Sequence, residues 1–238
     1  MAFNAKSRWA AFGVHLLISL LVLACLLFFI FFVWFPYDFI FAGGIEGLKI
    51  IMGVDLVLGP LLTLIVYVPG KKGLKFDLTM IGITQIGCLM AGLWVVHNER
   101  PVVQSLADDG VYISAASVFI DPAAVAKELP GANPKFVMLD LPELPDEVLK
   151  VKVDSVLRRG SAIEMRKDLY IPMRDITLEQ FQARLTLIKS TLSAEQLEWF
   201  EKPGKRGCTW VPVHSIHVAG YGCVHPDKGV IQLSNRDY

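Results

Sequence analysis

The hydropathy of the chain changes character once. Up to about residue 97 apolar positions run together with few interruptions, and beyond it apolar and polar residues recur with the periods of ordinary globular helices and strands. The first part holds three apolar runs, roughly 13–35, 48–68 and 78–97, each about twenty residues long. As helix, that length crosses a hydrocarbon core about 30 Å thick. Lipid offers a backbone amide no partner outside its own segment, so helix is the conformation expected. The pattern predicts a three-span transmembrane region over residues 1–97. The first run follows Lys6 and Arg8, as a secretory signal would. Its apolar core, however, exceeds the roughly 7 to 15 residues of a signal, and Trp34-Phe35-Pro36-Tyr37 offers no small-x-small cleavage site.

Residues 98–238 read as a small α+β domain. Val102–Leu106 and Val111–Ile120 flank the turn Asp108-Asp109-Gly110, which predicts a hairpin. Asp121-Pro122 opens a short helix with a capping side chain and a proline at the first helical position. Phe136–Leu141 reads as a strand. A helix is predicted over Asp146–Arg159, with Leu149, Val153, Val156 and Leu157 as its apolar positions and Gly160 as its stop. Thr177 with Gln180 and Ser193 with Gln196 form two capping boxes; the first opens a helix with the apolar stripe Leu178, Phe181, Leu185, Ile188 and Leu192. Thr209–Val213 and Val230–Leu233 are expected to pair as a closing hairpin.

Charge then sets topology. Lys6 and Arg8 precede the first span, and Lys71, Lys72 and Lys75 crowd the turn after the second, whereas the loop after the first carries only Asp38 and Glu46. The positive-inside rule places the N-terminus in the cytoplasm and residues 98–238 outside it. Six of the 23 Lys and Arg and four of the 23 Asp and Glu precede His97, so the exported part is nearly neutral and unsuited to nucleic acid or anionic lipid as its main partner. Cys25 and Cys88 fall inside apolar runs and read as packing residues. Cys208 and Cys223 lie in the exported part, where an oxidising compartment would join them; a Cys208–Cys223 disulfide is predicted.

Several segments carry a family resemblance. Gly13-Val14-His15-Leu16-Leu17-Ile18-Ser19-Leu20, Gly53-Val54-Asp55-Leu56-Val57-Leu58-Gly59-Pro60-Leu61-Leu62-Thr63, Pro69-Gly70-Lys71-Lys72 with Leu74-Lys75-Phe76-Asp77, and Arg100-Pro101 together resemble the TfpX/TfpZ family of type IV pilin accessory proteins. Leu144-Pro145, Arg166 with Tyr170-Ile171-Pro172, and Leu197-Glu198-Trp199 extend the likeness, while the Cys208–Cys223 segment, expected at the tip of the closing hairpin, has no place in it. The resemblance implies a bacterial inner-membrane protein with a periplasmic C-terminal domain. Such a protein acts as a chaperone-like factor in pilus biogenesis, stabilising the type IV major pilin subunit and modulating its assembly alongside other pilus assembly components.

A pilin partner would need a membrane face as well as a periplasmic one. Asp55, Gly59 and Thr63 fall at i, i+4 and i+8 on the second span, and Gly82, Gln85 and Gly92 share a stripe on the third; small residues permit close helix approach and polar ones bond across it. These six are candidate contacts with a partner helix, or else the glue between the spans themselves. A carboxylate at membrane depth is costly unless partnered, which singles out Asp55. Counting depth from the run boundaries puts His15 near the cytoplasmic edge, out of reach of Asp55, and Gln85 about 12 Å further in.

No nucleophile elbow, phosphate-binding glycine loop or His-Glu-x-x-His is present in the sequence, and no cofactor is expected. His214, His217, His225, Cys208, Cys223 and Asp227 crowd one segment, but His214 and His217 would face opposite sides of a strand, which argues against a metal. An enzyme alternative, a membrane-embedded transferase modifying pilin or a lipid-linked donor, would have to use Asp38, Glu46, His97 and Arg100. The non-enzymatic reading is the expectation.

Overall fold

The computed structural model describes residues 5–35, 39, 44–142, 144–204, 207–216 and 219–235. The chain forms two compact units, one holding the helices up to Asn98 and one running from Glu99 onward. In the first, α1 (Ala5–Phe29) continues into a π-helical turn, Ile30–Trp34. Next come α2 (Gly44–Met52), a second π-helical segment Gly53–Leu58, and α3 (Gly59–Val66), followed by α4 (Leu74–Asn98). Three stretches, Ser7–Trp34, Gly47–Val66 and Leu74–Asn98, are long and apolar enough to cross a membrane. The break between α2 and α3 has a local cause. Pro60 has no N–H and its ring presses on the carbonyl four residues back, so the turn before it opens to i→i+5 bonding, and Gly59 N–H donates to the Val54 carbonyl.

The second unit is built on one seven-stranded mixed sheet. Its strands are β1 (Pro101–Leu106), β2 (Val111–Ala115), β3 (Lys135–Leu139), β4 (Tyr170–Pro172), β5 (Thr209–His214), β6 (Ala219–His225) and β7 (Gly229–Asn235). They lie in the order β4-β3-β1-β2-β5-β6-β7. The β1–β3 and β2–β5 pairs are parallel and the remainder antiparallel. Helices α5 (Pro122–Glu128), α6 (Pro145–Arg159), α7 (Leu178–Thr191) and α8 (Ala194–Glu201) complete it. This is a helical membrane anchor followed by an α+β domain.

Local chemistry explains most of these boundaries. Asp121 accepts from Ala124 N–H at 2.9 Å to cap α5. Thr177 and Gln180 close the capping box of α7 in both directions, at 2.8 and 3.2 Å, and Ser193 with Gln196 does the same for α8. Gly160, at φ +62°, ends α6 in the left-handed conformation that a side chain would strain.

Three expectations need correction. The closing hairpin is a three-stranded meander, because β6 lies between β5 and β7. Its sequence Ala219-Gly220-Tyr221-Gly222-Cys223 has two glycines where strand composition would place branched residues, and Gly222 is required because a Cβ there would collide with Val213 and Val230. The disulfide exists, with Cα atoms 5.3 Å apart, but it is not at a hairpin tip: Cys208 precedes β5 and Cys223 lies late in β6, so the bond ties the end opposite the β5–β6 connection. The second strand of the first hairpin stops at Ala115, where a 3₁₀ turn, Ala116–Val118, begins.

Candidate functional site

In the membrane unit the polar side chains converge. His15 on α1 bonds Thr63 Oγ1 at 2.6 Å through Nδ1 and Gln85 Oε1 at 2.8 Å through Nε2. An amide oxygen only accepts, so Nε2–H donates to Gln85, and in the neutral ring Nδ1 accepts the Thr63 hydroxyl proton. Gln85 crosses directly over Gly59, where a Cβ would overlap its amide. This corrects the expected depth of His15. α1 begins at Ala5 rather than near Gly13, which sets His15 ten residues along its helix, level with Gln85, eleven residues into α4. Asp55 is buried within the π-helical segment. Gly92 is consumed by packing, since a Cβ there would strike Ile51, and Gly47, not anticipated, meets Val96 in the same way. Gly82 differs. No neighbouring side chain or other helix lies within 4 Å of where its Cβ would be, and it borders a cavity of about 580 Å³ lined by α1, α3 and α4.

The second unit has its own irregularity, on α6. The residues that define its apolar stripe face away from the core: Leu149 is 60% and Leu157 78% exposed, with Val153 and Val156 also exposed. The buried face is carried by Val148 and Ser155 instead. Beside this stripe runs an open groove of about 980 Å³, walled by Leu141, Leu149, Val153 and Leu157 with Asp154 and Arg166 along it. A contiguous exposed apolar helix face on a domain with its own core marks an interaction surface.

Val148 packs in the core with Leu139, Leu141 and Ile163, and an ionic tie is added to that packing. Lys152 Nζ reaches Asp108 at 2.8 Å and Asp109 at 3.0 Å on the β1–β2 turn, and Tyr112 O–H donates to Asp109 at 3.1 Å. Burial alone would lower the Lys152 pKa, but its bonds to Asp108 and Asp109 carry it above the ordinary lysine value. Burial first, and then Asp109 beside it, pushes the Tyr112 hydroxyl well above the usual tyrosine range. Arg184 of α7 is buried, which lowers its pKa against the pull of Asp108 and Asp140, and it donates to the Leu139 carbonyl at 3.0 Å.

The other residues singled out from the sequence are scattered. His214 stacks on Tyr112 with ring centroids 4.8 Å apart, and His225 Nδ1 accepts from Asp227 N–H at 3.1 Å. His217 lies outside the described residues, and among the described residues no group of three or more potential metal ligands occurs. His97 packs edge-on against Trp34, and the Arg100 carbonyl accepts from Ala116 N–H. Asp38 lies outside the described residues, as does the side chain of Glu46.

A membrane-anchored α+β protein with a polar core between its spans and an outward apolar helix is the class this geometry defines. Comparison with known proteins narrows it. Residues 3–42 match the family described as Fimbrial assembly protein FimB. The Fimbrial assembly protein of serogroups C1 and C2 of Dichelobacter nodosus is 34% identical over 124 residues, which are 50% of this chain and 90% of that protein. The serogroup I protein of the same organism is 34% identical, and the serogroup E1 protein 33%, each over 128 residues. Both of those matches cover 52% of this chain and 48% of the relative, so the chain spans about half the length of these two. No solved structure matches. The chain belongs to the fimbrial assembly protein FimB family.

Proposed function

We propose that the protein is an accessory factor of type IV pilus biogenesis, held in the bacterial inner membrane by three spans with its N-terminus in the cytoplasm and its α+β domain in the periplasm. It binds the pilin subunit before or during assembly and acts by binding rather than by catalysis. Family membership supports the pathway, and the likeness to the TfpX/TfpZ accessory proteins supports the subunit as partner. The observation that carries the reading is the outward apolar face of α6, which gives a domain with a complete core of its own a second, unused hydrophobic surface.

This reading moves the partner contact. The small residues Gly59 and Gly92 are used in packing the spans on one another, so those two positions serve the anchor itself, and the subunit's globular part is engaged through α6. The test is a mild-detergent pulldown of the full chain from piliated cells, followed by mass spectrometry, with Leu149→Asp/Leu157→Asp in parallel. The wild-type chain should recover pilin and the variant at least tenfold less. Equal recovery by both would remove α6 from the contact, and a wild-type chain that recovers no pilin would remove the function.

A further inference from the structure

The cavity at Gly82 opens inside the unit that sits in hydrocarbon, and three observations say what fills it. Its wall is mainly apolar, formed by Ala10, Ala11, Val14 and Ile18 of α1 with Leu78 and Gly82 of α4, and the hydroxyl residues Ser7 and Tyr67 also line it. Its polar floor is already satisfied: both ring nitrogens of His15 are engaged, one by Thr63 and one by Gln85. A polar ligand therefore gains nothing there from the imidazole, while a hydrocarbon chain loses nothing. The third observation is charge. Lys75, Leu78, Gly82 and Gln85 follow one another at three- and four-residue steps, so they share one face of α4, with exposed Lys75 one turn beyond the cavity and exposed Lys72 two residues before the helix begins. A basic mouth on an apolar slot between spans is complementary to a single amphiphile with an anionic head.

We infer that this slot holds one acyl chain of an anionic phospholipid, with its phosphate at Lys75 and Lys72. The lipid completes the packing of α1 against α4, where the chain itself leaves room for a side chain at Gly82. This site is independent of α6 and of any fimbrial partner.

The full chain can be tested in nanodiscs of roughly equal phosphatidylglycerol and phosphatidylethanolamine, extracted into mild detergent and examined by native mass spectrometry. The wild-type chain should retain one phosphatidylglycerol. Gly82→Trp, placed where no neighbour stands, should lose it, and Lys75→Gln should reduce the preference for phosphatidylglycerol about fivefold, the equivalent of about 1 kcal/mol for one basic residue near the surface. Retention by Gly82→Trp equal to wild type, or equal retention of both lipids by the wild type, would overturn the assignment. Should Gly82→Trp fail to fold, a photo-crosslinker at Ala11 decides: capture of phospholipid supports the site, and capture of a polypeptide shows that a partner's helix fills the slot instead.

Discussion

The two units bury opposite things. In the membrane unit Ser19, Asp55 and Thr63 turn inward while Leu17, Leu21, Ile65 and Ile86 face out. In the sheet unit Val103, Leu106 and Val211 have no exposed surface, and the buried charges of Lys135 and Arg184 donate to the carbonyls of Gly131 and Leu139. The same observation therefore carries different weight in each. An exposed leucine on α1 is a lipid contact and needs no further account, whereas an exposed leucine on α6 is surface that water should not see. Conversely, a polar cluster in the sheet unit is ordinary, and between the spans it organises the bundle.

This contrast can be broken most sharply on α6 itself. Val148→Asp puts an unpaired charge into the core and should unfold the sheet unit, costing more than about 4 kcal/mol, while its neighbour change Leu149→Asp should stay within about 0.5 kcal/mol of wild type. Urea unfolding of the two variants checks the pair. Next comes the disulfide. Cys208→Ser/Cys223→Ser opens a loop whose ends are 15 residues apart and should cost about 3 kcal/mol, read from the shift in denaturation midpoint. In the membrane unit, Gly59→Leu collides with Gln85 and should cost about 1–3 kcal/mol, whereas Gly82→Leu enters open space and should leave the melting temperature in detergent unchanged.

Alkali should separate the units as well. Tyr112 is held above the ordinary tyrosine value by burial and then by Asp109, and Tyr170 by burial and then by Glu164. The folded state resists ionisation of both, so their contribution is complete below about pH 10, the unfolded value, and is lost as pH rises above it. Lys152, also raised, contributes in the same sense and fails in the same alkaline window. Melting curves from pH 8 to 11 should therefore fall for the sheet unit, with a shallower slope in Tyr112→Phe. His15→Leu should cost only about 1 kcal/mol, because hydrogen bonds between spans are individually modest.

Much of the architecture was legible where the signal is local. The Asp121 cap, both capping boxes and the Gly160 stop are each decided within a few residues, and the structure agrees; each of the three apolar runs likewise falls in a helix long and apolar enough to cross a membrane. What was not legible depends on distant partners. β6 hides behind its glycines, and at Gly222 close packing on Val213 and Val230 outweighs strand propensity. The reach of His15 to Gln85 depends on where α1 begins, and polar residues ahead of an apolar run do not mark that point. Apolar periodicity identified α6 as a helix but could not say which face turns inward; that depends on distant partners, the packing of Val148 on Leu139, Leu141 and Ile163 and the bonding of Lys152 to Asp108 and Asp109 on a turn more than forty residues earlier.

The account stands or falls on what α6 touches. A photo-crosslinker at Leu157 of the full chain, activated in piliated cells, should join the protein to the pilin subunit, and the same probe at Val148 should not. Joining at Val148 but not at Leu157, or no product from Leu157 in cells where the wild-type chain still co-purifies pilin, would contradict it.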